Sequence, residues 1–250
     1  MIVIKDNNAC RKMKEAGTLL SQLFDELVVC IEPGMSTLEL DSIIEKKLVN
    51  RQLVSQSKGY MGYRHASCIS LNDEVVHGVP HEERIISTGD LVKVDVCASF
   101  KGYCADMARC FTVGRVQGGV TQLISAAQEA LNKGIEKAVV GGRLGDICHA
   151  IQCTIEEYGF GIVRDFAGHG IGARMHEDPE ILNYGRAGEG PVLKAGMAFA
   201  IEPMITMGKH HVYVMADGWT ARTVDGSLAA HVEDTVIITD NGPDIVTRVS

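Results

Sequence analysis

No apolar run in this 250-residue chain is long enough to cross a bilayer, and its start, Met1-Ile2-Val3-Ile4-Lys5-Asp6, lacks a basic leader followed by an apolar stretch. Neither membrane insertion nor export is expected, and the reading is a cytoplasmic protein. Positive charge is in deficit as well: 24 lysines and arginines face 32 acidic residues, a formal charge of -8. That balance argues against nucleic acid or an anionic membrane as the main partner and suits a site that takes up cations. CxxC pairs are missing too. The eight cysteines, Cys10, Cys30, Cys68, Cys97, Cys104, Cys110, Cys148 and Cys153, are scattered through a chain large enough not to need staples. They read as reduced, mostly buried thiols, which argues against a zinc ribbon or finger. No low-complexity segment or linker interrupts the chain, so residues 1–250 read as one domain that can bury a large core.

The pattern that remains is mixed helix and strand. Asp6 or Asn7 can cap a helix whose apolar positions Ala9, Met13, Ala16, Leu20, Leu23 and Leu27 recur at three- and four-residue steps and stop before Pro33-Gly34. Ser36 and Glu39 make a capping box for a second helix through Leu40, Ile43, Ile44 and Leu48. Cys68 to Leu71 and Leu91 to Val96 are strand-like, and Phe100-Lys101-Gly102-Tyr103 offers a turn that returns the chain from Ala105 to Val113 as a hairpin. The second half repeats the order loosely. Helices are expected from about 120 to 139 and 146 to 158, then strands at Gly196 to Glu202, Val212 to Met215 and Val232 to Thr239. Two helices followed by antiparallel strands, twice over, suggest a duplicated α+β unit with strands curling around a shared centre.

Asp95 interrupts an apolar strand, where a carboxylate is costly unless it is paired or bound to a cation. With the hairpin turn at Lys101-Gly102, position 95 faces 108, and Asp106 becomes its diagonal neighbour on the same face, roughly 7–8 Å away. Taken alone, the pair can equally be one solvated carboxylate and one held by backbone amides. Glu202 shares a strand face with Ala198 and Ala200, whose small side chains leave a cavity, and Glu233 interrupts another β-rich run. Four acids in buried-looking strands would repel one another without countercharge, and cations are the natural countercharge. His169, on the turn Gly168-His169-Gly170-Ile171-Gly172, supplies one imidazole. That glycine run is a weak nucleotide signal, discounted because no helix opens behind it as a phosphate cradle requires. Four carboxylates and one histidine suit two hard or borderline divalent ions. Water between two such ions loses a proton at neutral pH, so hydrolysis of an amide or ester is implied.

Ser70 to Pro80, Gly89 to Asp106, Gly168 to Gly172, Ile201-Glu202-Pro203-Met204 and His231-Val232-Glu233-Asp234-Thr235 stand in an order and spacing that resembles the methionine aminopeptidases of the short bacterial type, over nearly the whole chain. The resemblance implies the pita-bread fold, two pseudo-symmetric halves with a central curved antiparallel sheet and helices outside. It also implies removal of the initiator methionine from nascent polypeptides, near the ribosome, by a monomer. Residue by residue, it implies that Asp95, Asp106, His169, Glu202 and Glu233 bind two metal ions (cobalt, manganese, iron or zinc), with Asp106 and Glu233 bridging. Asp95 would belong to one ion, and His169 and Glu202 to the other, Glu202 also accepting the proton of the attacking water. His77 and His176 would contact the scissile peptide and its oxyanion. Tyr60, Tyr63, Cys68, Met175 and Trp219 would line the methionine pocket.

The chain departs from the family pattern at Met175, where an aromatic is usual, and at Ser57, where bacterial members often have cysteine. Beside Glu233, His231 stands where glutamine is usual and Asp234 where histidine is usual. Changes beside a ligand can alter metal affinity without removing a ligand. An amino-terminal zinc-binding extension is not expected, and about thirty residues between Glu202 and Glu233 leave no room for an inserted helical subdomain. Two other readings stay open. An Xaa-Pro aminopeptidase or prolidase shares fold and metal set but usually carries an extra amino-terminal domain. A partner-binding module without catalysis would lack a ligand, and all five positions are filled.

Overall fold

The structure is a computed structural model that describes residues 1–248. Helix α1 spans Asn7–Leu27 and α2 spans Thr37–Asn50. Strands β1 (Val54–Ser55), β2 (Cys68–Leu71), β3 (Glu74–Val76), β4 (Leu91–Phe100) and β5 (Tyr103–Thr112) complete the first half. Helices α3 (Val120–Glu136) and α4 (Leu144–Glu157) open the second. Strands β6 (Gly161–Ile162), β7 (Gly168–Gly170), β8 (Glu177–Ile181), β9 (Ala198–Ile201) and β10 (Met204–Thr206) follow. Last come β11 (Val212–Val214), β12 (Ala221–Thr223), β13 (Ala229–His231), β14 (Glu233–Thr239) and β15 (Gly242–Ile245). The order α-α-β, repeated, is the one expected from the sequence.

The helix ends have the expected chemistry. Asp6 accepts from the Ala9 amide at 2.8 Å to start α1, and Ser36 with Glu39 forms the reciprocal capping box of α2. Every apolar position read for α1 is buried, from Ala9 to Leu27. That stripe, with Leu40, Ile44 and Leu48 of α2, packs on Val92, Val94, Val96 and Met107 of the first hairpin. A second core joins Leu123, Ala127, Leu131, Ile147 and Ile151 of α3 and α4 to Phe199, Ile201, Val236 and Ile238. Each half therefore buries its helices on one face of the sheet.

The main sheet has nine strands, in the order β1-β4-β5-β14-β9-β7-β8, with β2 also on β4 and β15 also on β14. The β4–β5 register is the expected one: Asp95 pairs with Ala108, and Cys97 with Asp106. The two halves meet where Glu233 of β14 pairs with Ala108 of β5. That junction brings carboxylates from distant parts of the chain together. Some elements are shorter than expected: α3 ends at Glu136 and β9 covers Ala198–Ile201, which leaves Glu202 just beyond its strand.

Candidate metal centre

Strand alternation aims the acids at one place. Asp95 on β4, Asp106 on β5, Glu202 just after β9 and Glu233 on β14 all line one cavity of about 740 Å³, together with His169. Asp106 is fixed through its backbone, whose amide donates to Thr235 Oγ1 at 2.8 Å while that hydroxyl donates back to the Asp106 carbonyl at 2.9 Å. Asn183 Nδ2 donates to the Glu202 carbonyl at 3.1 Å. These bonds hold the backbones and leave the carboxylates facing the cavity.

His169 sits in β7, wedged between Ala200 of β9 and Glu180 of β8. The flanking glycines are needed for close approach, since a Cβ on Gly168 would lie 2.4 Å from the Ala200 carbonyl oxygen, and one on Gly170 2.0 Å from that of Asp178. They are packing residues, not a phosphate cradle. The His169 Nδ1 lies 3.0 Å from the Gly170 carbonyl oxygen, so Nδ1 carries the proton and Nε2 is left as a lone-pair donor. Nε2 is 3.8 Å from Asp106 Oδ2 and 3.6 Å from Glu202 Oε1.

The electrostatics say what is missing from this protein matrix. Burial pushes the carboxyls of Asp95, Glu202 and Glu233 well above the usual range, and the charges of neighbouring acids add to the push on Asp95 and Glu233. Asp106 is pushed up to about 7, by burial and then by Glu202. No lysine or arginine among the described residues lies within 4 Å of the side-chain oxygens of these four, and Arg109 reaches only the Glu233 backbone carbonyl. Glu233 Oε1 is buried with no hydrogen-bond partner. Ligand atoms of Asp106, His169 and Glu233 lie within 4.8 Å of one another. Acceptor-only oxygens and a bare imidazole nitrogen around an orphaned carboxylate oxygen fit divalent cations.

Around this centre stand the other predicted residues. His77 follows β3 at φ 58°, a left-handed conformation unusual for a side chain of its size. Its neighbour Gly78 passes so close to Ile69 that a Cβ would lie 2.2 Å from that carbonyl oxygen. The His77 ring packs edge-on to Phe166 at 5.3 Å, and burial lowers its pKa to about 4. His176 packs edge-on to His169 at 4.5 Å, and its Nδ1 is 3.1 Å from the Tyr60 hydroxyl. Tyr63 packs edge-on to Trp219 at 5.0 Å. Tyr60, Tyr63, Cys68, Met175, Trp219 and Ser57 all line the same cavity.

Some contacts lay outside the sequence reading. Cys97 lines the cavity beside Asp106, and its two-residue step from Asp95, hence the same strand face, is the signal that could have found it. Met1, Val3 and Phe166 line it too, with no local pattern to mark them. The two departures beside Glu233 behave differently. His231 Nε2 lies 3.2 Å from Glu202 Oε2, whereas Asp234 points the other way and bonds Arg109 and Thr247. All eight cysteines are free, four of them buried.

A nine-stranded curved sheet backed by helices, with a carboxylate-lined cavity at the junction of two similar halves, defines a metallopeptidase of the pita-bread fold. The pattern of metallopeptidase family M24 matches residues 11–240, and the chain belongs to that family, among its methionine aminopeptidases. The methionine aminopeptidase of Clostridium acetobutylicum is 44% identical over 99% of each chain. The crystal structure of the methionine aminopeptidase from Thermotoga maritima superposes with a TM-score of 0.97 at 42% identity, covering both chains completely. An Xaa-Pro dipeptidase from Bacillus anthracis, at a TM-score of 0.78 and 24% identity, covers 99% of this chain and 62% of its own, and shares the fold alone.

Proposed function

We propose that Asp95, Asp106, His169, Glu202 and Glu233 hold two divalent ions, and that the cavity around them takes the N-terminal methionine of a polypeptide. The chain is a methionine aminopeptidase, a metallo-exopeptidase that removes the initiator methionine. The observation that carries the site assignment is the convergence of four carboxylates in one cavity with no lysine or arginine among the described residues against their side-chain oxygens. Divalent ions held there would neutralise that charge, polarise a carbonyl and let a water lose its proton near neutral pH, which makes it a nucleophile. Asp106 and Glu233 would be shared by the two ions, Asp95 would serve one of them, and His169 and Glu202 the other. Glu202, which faces the cavity beside His169, would accept the proton of the attacking water. His77, whose pKa burial lowers to about 4, and the more exposed His176, whose pKa partial desolvation also lowers, each have a ring N–H to offer the scissile peptide and its oxyanion. Tyr60, Tyr63, Cys68, Met175 and Trp219 surround an unbranched thioether, which binds by buried area and sulfur–aromatic contact.

Cobalt, manganese, iron and zinc all accept this donor set, and supply decides among them. We read the protein as a monomer acting as a single domain of residues 1–250. The same reading takes the cytoplasm as its place and nascent chains near the ribosome as its substrate source. The test is to strip the protein with a chelator, reload it with manganese or cobalt, and compare Met-Ala-Ser with Gly-Pro and Ala-Pro peptides. Methionine release is expected. Cleavage confined to the proline peptides would overturn the specificity.

A further inference from the structure

His231 is not among the five residues assigned as ligands and does not line the cavity, yet it stands directly against Glu202, which does. It ends β13, directly across from Met204 of β10, and is 1% exposed. Cys110 Sγ donates to its carbonyl at 3.3 Å. Lys93, itself fully buried, reaches from β4 to the Ala229 carbonyl at 3.1 Å and pins the start of the same strand. The backbone is therefore held, and the ring has one direction to point. Its Nε2 lies 3.2 Å from Glu202 Oε2, while His169 Nε2 lies 3.6 Å from Glu202 Oε1. Two imidazole nitrogens thus bracket one carboxylate, one at each oxygen.

A second convergence includes it. Ligand atoms of Glu202, His231 and Glu233 lie within 4.8 Å of one another, as those of Asp106, His169 and Glu233 do. The two triads share Glu233, whose Oε1 is buried and without a partner, and each triad has two carboxylates and one imidazole. Glutamine, usual here in the family the chain resembles, offers only a weakly basic amide oxygen. Imidazole is a far better donor to borderline ions.

We propose that His231 is a nitrogen ligand of this chain's metal pair, joining Glu202 and Glu233, so that the centre carries two imidazoles where five ligands alone would give one. This rests on the two-ion reading above. An added nitrogen biases the site toward cobalt, zinc and iron and away from manganese, whose preference is for oxygen donors. The opposing view is that His231 only donates a hydrogen bond to Glu202 and orients it.

Proton NMR of the cobalt(II)-loaded protein separates the two, because each cobalt-bound imidazole gives one strongly contact-shifted, solvent-exchangeable ring N–H signal. The wild type should show two such signals, and His231→Gln one. A single signal in the wild type would overturn the proposal, and that count stands even if the variant fails to fold. Metal affinity by competition with a coloured chelator is the second measurement. In a folded His231→Gln protein, cobalt affinity should fall by about tenfold or more, with manganese affinity changed less. An equal loss for both ions would again mark His231 as an orienting residue. If the wild type takes up no cobalt in equilibrium dialysis, the two-ion reading itself fails, an outcome distinct from cobalt bound with one nitrogen signal.

Discussion

Glu233 and Asp234 are neighbours on β14, both at most 2% exposed, and they live under opposite rules. The Asp234 carboxylate accepts from Arg109 at 2.6 Å, from Thr247 at 2.7 Å and from Arg248 at 2.8 Å, which accounts for both oxygens. Glu233, one residue away on the facing side of the strand, keeps an oxygen with no partner at all. A fold that can satisfy a buried carboxylate this fully has left the adjacent one for something the polypeptide does not supply. The contrast separates an acid that holds the protein together from one whose side chain is left free for a ligand.

Replacement of each acid should break the comparison along that line. Asp234→Ala strands two guanidinium groups and a hydroxyl, and should destabilise the protein by about 3 kcal/mol in urea unfolding, at the low end for a buried pair because both arginines reach solvent. The protein that remains folded should still bind its full complement of metal, and loss of metal instead would place Asp234 in the site. Glu233→Gln should behave inversely, lowering metal affinity by more than about a hundredfold with no loss of stability in chelator-treated protein. Equilibrium dialysis read beside thermal unfolding checks both halves. His176→Ala should slow turnover by about tenfold to a hundredfold, less than a fully enclosed oxyanion donor because its ring is exposed. Metal content should be unchanged, and unaltered turnover would make His176 a structural residue.

The difference between the two acids also marks where sequence reading stops. Asp95 and Asp106 were legible because a hairpin turn at Lys101-Gly102 sets register locally, and alternation does the rest. The α1 stripe and the Ser36–Glu39 cap were legible for the same reason, since all their partners lie within a turn or two. Asp234 was read as a neighbour of the metals, but its partners come from β5 and from the residues after β15, contacts set by strand pairings between distant segments. His231 reaching Glu202 depends likewise on β13 lying beside β10. Local period tells which residues share a strand face. It does not tell which strand will stand opposite.

The smallest expected effect is the sharpest. Burial raises the Glu233 carboxyl well above its ordinary 4.5, helped by Asp106, Glu202 and Asp95, so in metal-free protein the folded state holds a proton there that the unfolded chain has released. Stability from that group is present below the unfolded pKa and is lost as pH rises through the folded one. Glu233→Gln, neutral at every pH, escapes the loss. Metal-free variant and metal-free wild type should therefore unfold alike near pH 4. Above that the variant should draw ahead by a margin that widens toward pH 8, as the wild-type carboxyl is forced to ionise beside the remaining acids. Urea titrations of both proteins in chelator across that range measure it directly. A gap that is constant with pH would mean that packing, not the unmet charge, separates the two side chains. Asp234→Asn is the matching control: its partners are arginines, so the same swap should cost stability at pH 8 where Glu233→Gln adds it.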